Sequence, residues 1–425
     1  MRTESDNEST LAVWAFDHAM NYSACQYYRI DVPMRSLADS GLETYIDRGT
    51  GDREIALQSM LNTDIMQTYA MTGDSMPGLF ETIRDMEPAK GPVDGKILVP
   101  PSIVYDIDDN LDYIHPFNAA YAHMGTRDGD GNLLEPGDNI TTIMPNGEEF
   151  LVWDDLKTRG EDNILFNVAR NRRTVSSAFA LAKMAHGVTT PSPILSDYFT
   201  KVHGVKNVYT YPNTVVPADY TYYNLVPRTD DSVRILWQGG ASHMVDWFPL
   251  RDALREVAEK YPQAKFVIWG QKFPWIHDVI PDAQIEYHGW VHYHAYKFKR
   301  TLLDIDINIA PLAGTLFNKC KSAIKWYEAS LGPNPEVTLA ANVPPYGLEM
   351  VDGETGMLYS TPAEFVQKMG TLIEDATLRK TLAQNAQKWV LANRTPEVTT
   401  PGLIEFYKEL RRQREYPYHA KLIMA

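Results

Sequence analysis

The 425-residue sequence has only two cysteines, Cys25 and Cys320, far apart in the chain. A disulfide framework or a cysteine-based zinc site needs more sulfur than that, and both are excluded as organising devices. No run of 18 or more apolar residues occurs, so no segment meets the requirement for a membrane-crossing helix. A leader for export is basic and then apolar, whereas residues 1–10 are polar and acidic, and the expected location is the cytoplasm. Positive charge is also scarce. Forty Lys and Arg stand against 55 Asp and Glu, and the resulting charge of −15 repels phosphate backbones at long range. Generic nucleic-acid binding is therefore disfavoured, and the basic runs at 170–173, 297–300 and 411–414 read first as solvated helix faces.

The apolar share of 44% and the charged share of 22% are those of a chain that folds, and the length is too great for one ordinary core. Two domains of about 200 residues each are expected. From Ser232 onward, strands alternate with helices. Val233 to Trp237 is an apolar run closed by Gly239-Gly240, and an amphipathic stretch follows from Trp247 to Glu259. The pattern repeats at 265–269 before Gly270, at 284–287 before Gly289 and at 305–309 before Pro311, then in a helix over 323–330 and strands over 336–340 and 356–359. Such alternation predicts a parallel sheet covered on both faces.

The first half carries a weaker form of the pattern, with strands at 11–16, 102–105 and 208–211 and helices over 33–40 and 167–186. Residues 125–149, rich in Gly, Asp and Asn, read as an excursion or lid of low intrinsic order. The boundaries predicted are a domain over 1–215, a linker over 216–231, a second domain over 232–398 and a returning terminal helix over 399–425. Thr395 to Pro401 is expected to interrupt the helical pattern ahead of it.

Ligands of open α/β sheets sit beyond the carboxyl ends of the strands, where a glycine turn lets backbone N–H groups approach a phosphate. Gly239-Gly240 is such a turn, followed closely by Ser242 and His243, although many glycine turns bind nothing. A second constellation is denser. Lys321, Lys325 and Glu328 are spaced to share one helical face, two ammonium groups suiting a diphosphate and a carboxylate one turn on suiting ribose hydroxyls. A salt-bridged surface helix would have the same spacing.

Phe317-Asn318, Lys321-Ser322, Lys325, Glu328, Val343 to Tyr346, Asp352-Gly353 and Thr355-Gly356 resemble the donor-site signature of GT-B glycosyltransferases. The resemblance is to the large retaining group called glycosyltransferase family four, in the divergent form of phages and some bacteria. It extends to Trp237 to Gly240 with Ser242, His243 and Asp246, to His288 to Val291, to Tyr28-Arg29 with Pro33, to 106–109 and to 211–213.

That resemblance implies an α/β fold of two Rossmann-like domains facing across a cleft, with a C-terminal helix crossing back to the first. It implies a hexosyl- or pentosyltransferase acting with retention, no obligatory metal, and a nucleoside-diphosphate sugar, by family habit a UDP-sugar, as co-substrate. Lys321 and Lys325 would stabilise the leaving diphosphate, with His243 beside them. Gly239, Gly240, Ser242, Gln271, Gly289, Trp290, Val291, Asn318, Ser322 and Glu328 would line the donor site. Tyr28, Arg29, Asp108, Asp109 and His115 would stand on the acceptor or sugar side. In the family two glutamates are often separated by seven residues, and Cys320 occupies the first of those positions here.

Acceptors open at this point are a modified DNA base, a surface glycan or a protein, in the host cytoplasm for a phage-encoded chain. Asp106 and Asp108 have the D-x-D spacing that another glycosyltransferase fold uses for a divalent cation. A non-catalytic sugar-nucleotide or glycan-binding protein is the rival reading. An NAD-dependent enzyme is set aside, because residues 17–20 after the first strand lack the G-x-G-x-x-G turn.

Overall fold

Near-continuous apolar runs, such as Ala-Val-Trp-Ala-Phe at 12–16, suit strands buried on both faces by flanking helices. A computed structural model describes residues 2–3, 11–17, 22–49, 51–70, 76–90, 97–118, 120–143, 149–154, 166–220, 230–240 and 243–424. Two units emerge. One comprises Met1–Asp109, Arg173–Thr214 and Pro396–Ala425, and the other Asn110–Arg172 and Val215–Thr395.

The first unit is built on six parallel strands: β1 (Ala12–Phe16), β2 (Glu43–Asp47), β3 (Ile65–Tyr69), β4 (Ser102–Asp106), β5 (Gly187–Thr190) and β6 (Val208–Thr210). Their order is β6-β5-β4-β3-β1-β2. A terminal helix, Pro396–Met424, packs Leu403, Tyr407 and Leu410 into the core formed by Val13, Ala15, Ile65 and Val104. The helical pattern breaks at Arg394 and Thr395 and the helix is then continuous from Pro396, which shortens the interruption expected over 395–401. Pro396 opens the helix, where a missing N–H costs nothing, and burial of its apolar stripe carries it past Pro401.

Arg29 ties this sheet's carboxyl ends together. It lies in a π-helical turn, Tyr27–Asp31, and is 0% exposed. Its Nε and NH2 donate to the two carboxylate oxygens of Asp106 at 2.9 and 2.5 Å, and its NH1 donates to the Tyr211 carbonyl at 2.7 Å and to Asn213 Oδ1 at 3.1 Å. Thr189 Oγ1 also donates to Asp106, at 2.6 Å.

The second unit holds β7 (Val233–Gly239), β8 (Ala264–Gly270), β9 (Ile285–His288), β10 (Ile307–Ala310), β11 (Val337–Ala341) and β12 (Met357–Tyr359). All are parallel, in the order β9-β8-β7-β10-β11-β12. The chain moves outward from β7 in one direction and then returns to lay β10 on its other side. That switch point is where open α/β sheets leave a crevice for ligands.

Residues 110–172 cluster with this second unit. The region read as a poorly ordered excursion contains an antiparallel hairpin, Asn139–Ile143 with Glu149–Asp154. Trp153 stacks with Tyr121, and Tyr121 with Phe166, at ring separations of 5.8 and 5.5 Å. Asn171 Nδ2 donates to the carbonyls of Tyr121, Ala122 and Gly125, so aromatic packing and a buried amide order a glycine-rich sequence.

Replacing Arg29 with Met would leave the Asp106 carboxylate buried without its cation. We expect a loss of about 3–5 kcal/mol, read as a lowered urea midpoint, with a much smaller loss when Arg29→Met is combined with Asp106→Leu.

Candidate functional site

β7 ends at Gly239, where a side chain has no room. A β-carbon at Gly239 would lie 2.9 Å from His243 Cδ2 and 3.0 Å from Trp237 Cζ2, and 3.4 Å from Lys325 Nζ. His243 and Lys325 therefore crowd the strand end at the switch point. Gly270, at the end of β8, has φ +106°, and a β-carbon there would meet the Gly239 carbonyl at 2.6 Å. Gln271 N donates to that same carbonyl at 2.9 Å. Trp290 is 68% exposed, and its ring edge lies 3.7 Å from a β-carbon built at Gly240 and 3.3 Å from one at Gly270. Glycine is thus required where two strand ends and an indole converge. Gly289 accepts from Trp269 Nε1 through its carbonyl at 3.2 Å, and Val291 packs beside Leu236, Val267 and Trp269.

Asp246 organises the cationic side. Its Oδ1 accepts from Ala313 N and from Asn318 Nδ2, both at 2.7 Å, and its Oδ2 lies 2.6 Å from His243 Nδ1. An ionised carboxylate only accepts, so the His243 proton sits on Nδ1 and Nε2 presents a lone pair. Lys325 Nζ donates to that nitrogen at 3.3 Å. Burial drives His243 down to about 4, helped by the Lys325 charge and opposed by Asp246. It is neutral at pH 7 and acts as an acceptor that steadies Lys325. Burial also draws Lys325 down to about 8, opposed by Asp246 and assisted by Lys321.

Lys321 does not share a helical face with Lys325. Two short helices, Leu316–Lys319 and Ile324–Ala329, flank a break that contains Lys321 and Ser322, both half-buried. The first helix is capped by Thr315, whose Oγ1 accepts from Asn318 N at 3.2 Å, and its end delivers the Asn318 amide to Asp246. The Lys321 ammonium lies 4.2 Å from the Phe317 ring centroid. Cys320 is fully buried and accepts from Asn110 Nδ2 at 3.6 Å.

Glu328 is buried and well supplied with donors. Tyr220 Oη donates to its Oε1 at 3.2 Å, while Tyr296 Oη and Gln238 Nε2 donate to its Oε2 at 2.6 and 3.1 Å. Arg300 in turn reaches Gln238 Oε1 at 2.8 Å and Glu336 Oε2 at 2.6 Å. Burial pushes the Glu336 carboxyl up to about 7 against the pull of Arg300. Gln238, Tyr296 and Arg300 carried no spacing signal that marked them as partners of Glu328. They come from two elements, Gln238 from β7 and Tyr296 and Arg300 from the helix Tyr293–Leu302.

Residues 249–400 match the family described as glycosyl transferase-like. No curated protein matches the sequence. Among solved structures, a glycosyltransferase from Rickettsia africae is similar with a TM-score of 0.57 at 10% identity, over 95% of this chain and 99% of that one. Sucrose-phosphate synthase from Thermosynechococcus elongatus gives 0.54 at 10%, over 94% and 99%. The Anabaena protein HepE in complex with UDP and glucose gives 0.53 at 12%, over 94% and 100%. At such identities the likeness is one of fold, and the fold is the GT-B type with two Rossmann-like α/β units.

The residues expected on the acceptor side are placed differently. Arg29 is fully enclosed and its donors are spent on Asp106, Tyr211 and Asn213, so it supports the strand ends and does not touch a ligand directly. Tyr28 is buried beside it. Asp106 is engaged by Arg29 and Thr189, which leaves it poorly placed for the D-x-D role. Asp108 accepts from Tyr69 Oη at 2.8 Å, and burial together with adjacent Asp109 raises its carboxyl. His115 belongs to the second unit, where its Nδ1 accepts from Phe117 N at 3.2 Å and burial lowers its basicity. Among the described residues, no group of three or more His, Cys, Asp or Glu could hold a metal ion. Ser242 lies outside the described residues.

Gly270→Ala should cost about 1–3 kcal/mol of backbone strain and displace the Gly239 carbonyl. Gly289→Ala, where a β-carbon meets nothing within 4 Å, should stay within about 0.5 kcal/mol. Denaturant midpoints of the two variants test this contrast.

Proposed function

We propose that this protein is a glycosyltransferase that moves a sugar from a nucleoside-diphosphate sugar, a UDP-sugar, to a hydroxyl group on its acceptor. The observation that carries the reading is the Lys325 ammonium, held by neutral His243 at a side-chain-free strand end, at the switch point of the second sheet. Support comes from the matched family segment, which includes Lys325 and Glu328, and from the UDP complex of a structure with the same fold.

In the proposed reaction the diphosphate lies against Gly239-Gly240 and Lys325, with Lys321 close by. The Glu328 carboxylate takes ribose hydroxyls, and the base lies near Gln271, Gly289 and the exposed face of Trp290. Departure of the nucleoside diphosphate builds negative charge on its terminal phosphate while the sugar becomes oxocarbenium-like. A fixed ammonium in a dry setting stabilises that charge most as it develops. The acceptor oxygen bonds the anomeric carbon as the bond to the phosphate breaks, the leaving phosphate receives the acceptor proton, and no protein nucleophile is needed; retention is what the family resemblance implies. Lysine charge stands where other transferases use a divalent cation. Burial, assisted by Lys321, depresses the basicity of Lys325, and a bound diphosphate would oppose that depression.

The acceptor is a hydroxyl compound of unassigned class. Two arginines of the 170–173 run are engaged within the chain. Arg170 donates to the Ala122 carbonyl at 2.9 Å and Arg172 pairs with Glu135 at 2.8 Å, which weakens that run as a phosphate track for DNA.

Thermal unfolding with UDP, GDP, ADP and UDP-sugars tests the donor site. Binding at a hundredfold excess over Kd adds about 2.7 kcal/mol to the native state, so Tm should rise with UDP and not rise in Lys325→Ala. An absence of any shift with every nucleotide at millimolar concentration would refute the proposal. The pH dependence has a defined sign. Lys325 must be protonated to bind the diphosphate, and above about 8 the free protein loses that proton. The Kd for UDP should therefore be nearly flat from pH 7 to 7.5 and then weaken, approaching about tenfold per pH unit above 8, as measured by calorimetry.

A further inference from the structure

Behind Glu328 runs a buried polar chain, Glu336 to Arg300 to Gln238 to Glu328, with each contact between 2.6 and 3.1 Å. Gln238 is 6% exposed and Arg300 4%, so neither meets solvent in a way that would explain its polarity. A guanidinium offers donors only, and an ionised carboxylate accepts only. The amide between them satisfies both in one orientation: Oε1 towards Arg300 and Nε2 towards Glu328. A flipped amide would set donor against donor and oxygen against oxygen, in a setting where unpaired polar atoms are costly.

Arg300 therefore reinforces the end of Gln238 that the Glu328 carboxylate requires, by taking up the amide oxygen. The tyrosines that also touch this carboxylate, Tyr220 and Tyr296, have hydroxyls that rotate and can either donate or accept, so they impose no such polarity. Arg300 pairs with Glu336 at 2.6 Å, and it reaches Glu328 through the Gln238 amide.

We propose that Gln238 and Arg300 are positioning residues that hold the Glu328 carboxylate in the rotamer that accepts the ribose hydroxyls of the nucleotide. This rests on the reading of Glu328 given under the proposed function. The two residues act through Glu328 and make no contact with the reacting atoms. Their loss is felt as failure to recognise the sugar of the nucleoside, with the diphosphate contacts intact.

Calorimetric Kd values of UDP and 2′,3′-dideoxy-UDP separate this role from a structural one. They are measured on the full chain, on Gln238→Leu, and on Arg300→Met combined with Glu336→Gln, which removes both buried charges together so that neither is left alone. The wild type should prefer UDP by tenfold or more. In both variants the preference should fall at least fivefold, with the Kd of the dideoxy nucleotide held within twofold. Should Gln238→Leu fail to fold, the double variant decides alone. Equal weakening of both nucleotides, with the preference retained, would overturn the positioning role and leave the Glu328 reading intact. A wild type that binds both nucleotides alike would overturn this inference and the ribose role, while nucleotide binding itself stood. A wild type that binds neither would remove the proposed function with it.

Discussion

The Asp246 carboxylate is the constraint on which the candidate site depends. It gathers an amide from the segment after β10, a side-chain amide from a capped helical turn and the imidazole that follows β7. Without it the Ala313 N–H and the His243 Nδ1–H would lose the acceptor that they meet here, and Asn318 Nδ2 would keep only the Ala313 carbonyl. Because all three donors converge on one acceptor, the tautomer of His243 follows, and from the tautomer follows the place of Lys325 Nζ. A buried ammonium with a lowered proton affinity persists because this acceptor chain meets it, and the same lowering makes it responsive to an arriving anion.

Glu328 stands one helical turn from Lys325 and belongs to a second, separately wired network. Three elements send donors to it: the end of β7 through Gln238, the helix Tyr293–Leu302 through Tyr296, and the turn Pro217–Tyr220 through Tyr220. Lys325 and Glu328 thus have separate supports within a few residues of one another. Under the proposed function, a phosphate contact and a ribose contact would be alterable one at a time.

The first unit uses the same physical device for a different end. Arg29 and Asp106 form a buried, bidentate pair whose remaining donors go to backbone and side-chain oxygens after β6. Such a pair contributes little net stability over an apolar substitute, yet it specifies which strand ends meet. Here it engages Arg29 and Asp106 with each other at the carboxyl edge of that sheet.

Much of the fold was legible in the sequence because strands buried on both faces must read as short apolar runs, and because turns at β7 and β8 need glycine for steric reasons that act locally. The parallel α/β class, the glycine turns and the cluster of Lys325 and Glu328 follow from those local demands. The break that separates Lys321 from the helix of Lys325 was not legible, since a 3.6-residue spacing carries no record of where a short helix begins. Nor was the hairpin within 139–154, whose order comes from aromatic contacts between residues far apart in sequence. By itself, then, the sequence determined the periodicity, the glycine positions and the residue types available for chemistry. Tertiary structure alone decided which polar group met which, because the pairs of Asp246 with Asn318, Lys325 with His243 and Arg29 with Asp106 span about 70 to 80 positions, and only packing brings such groups within hydrogen-bond distance.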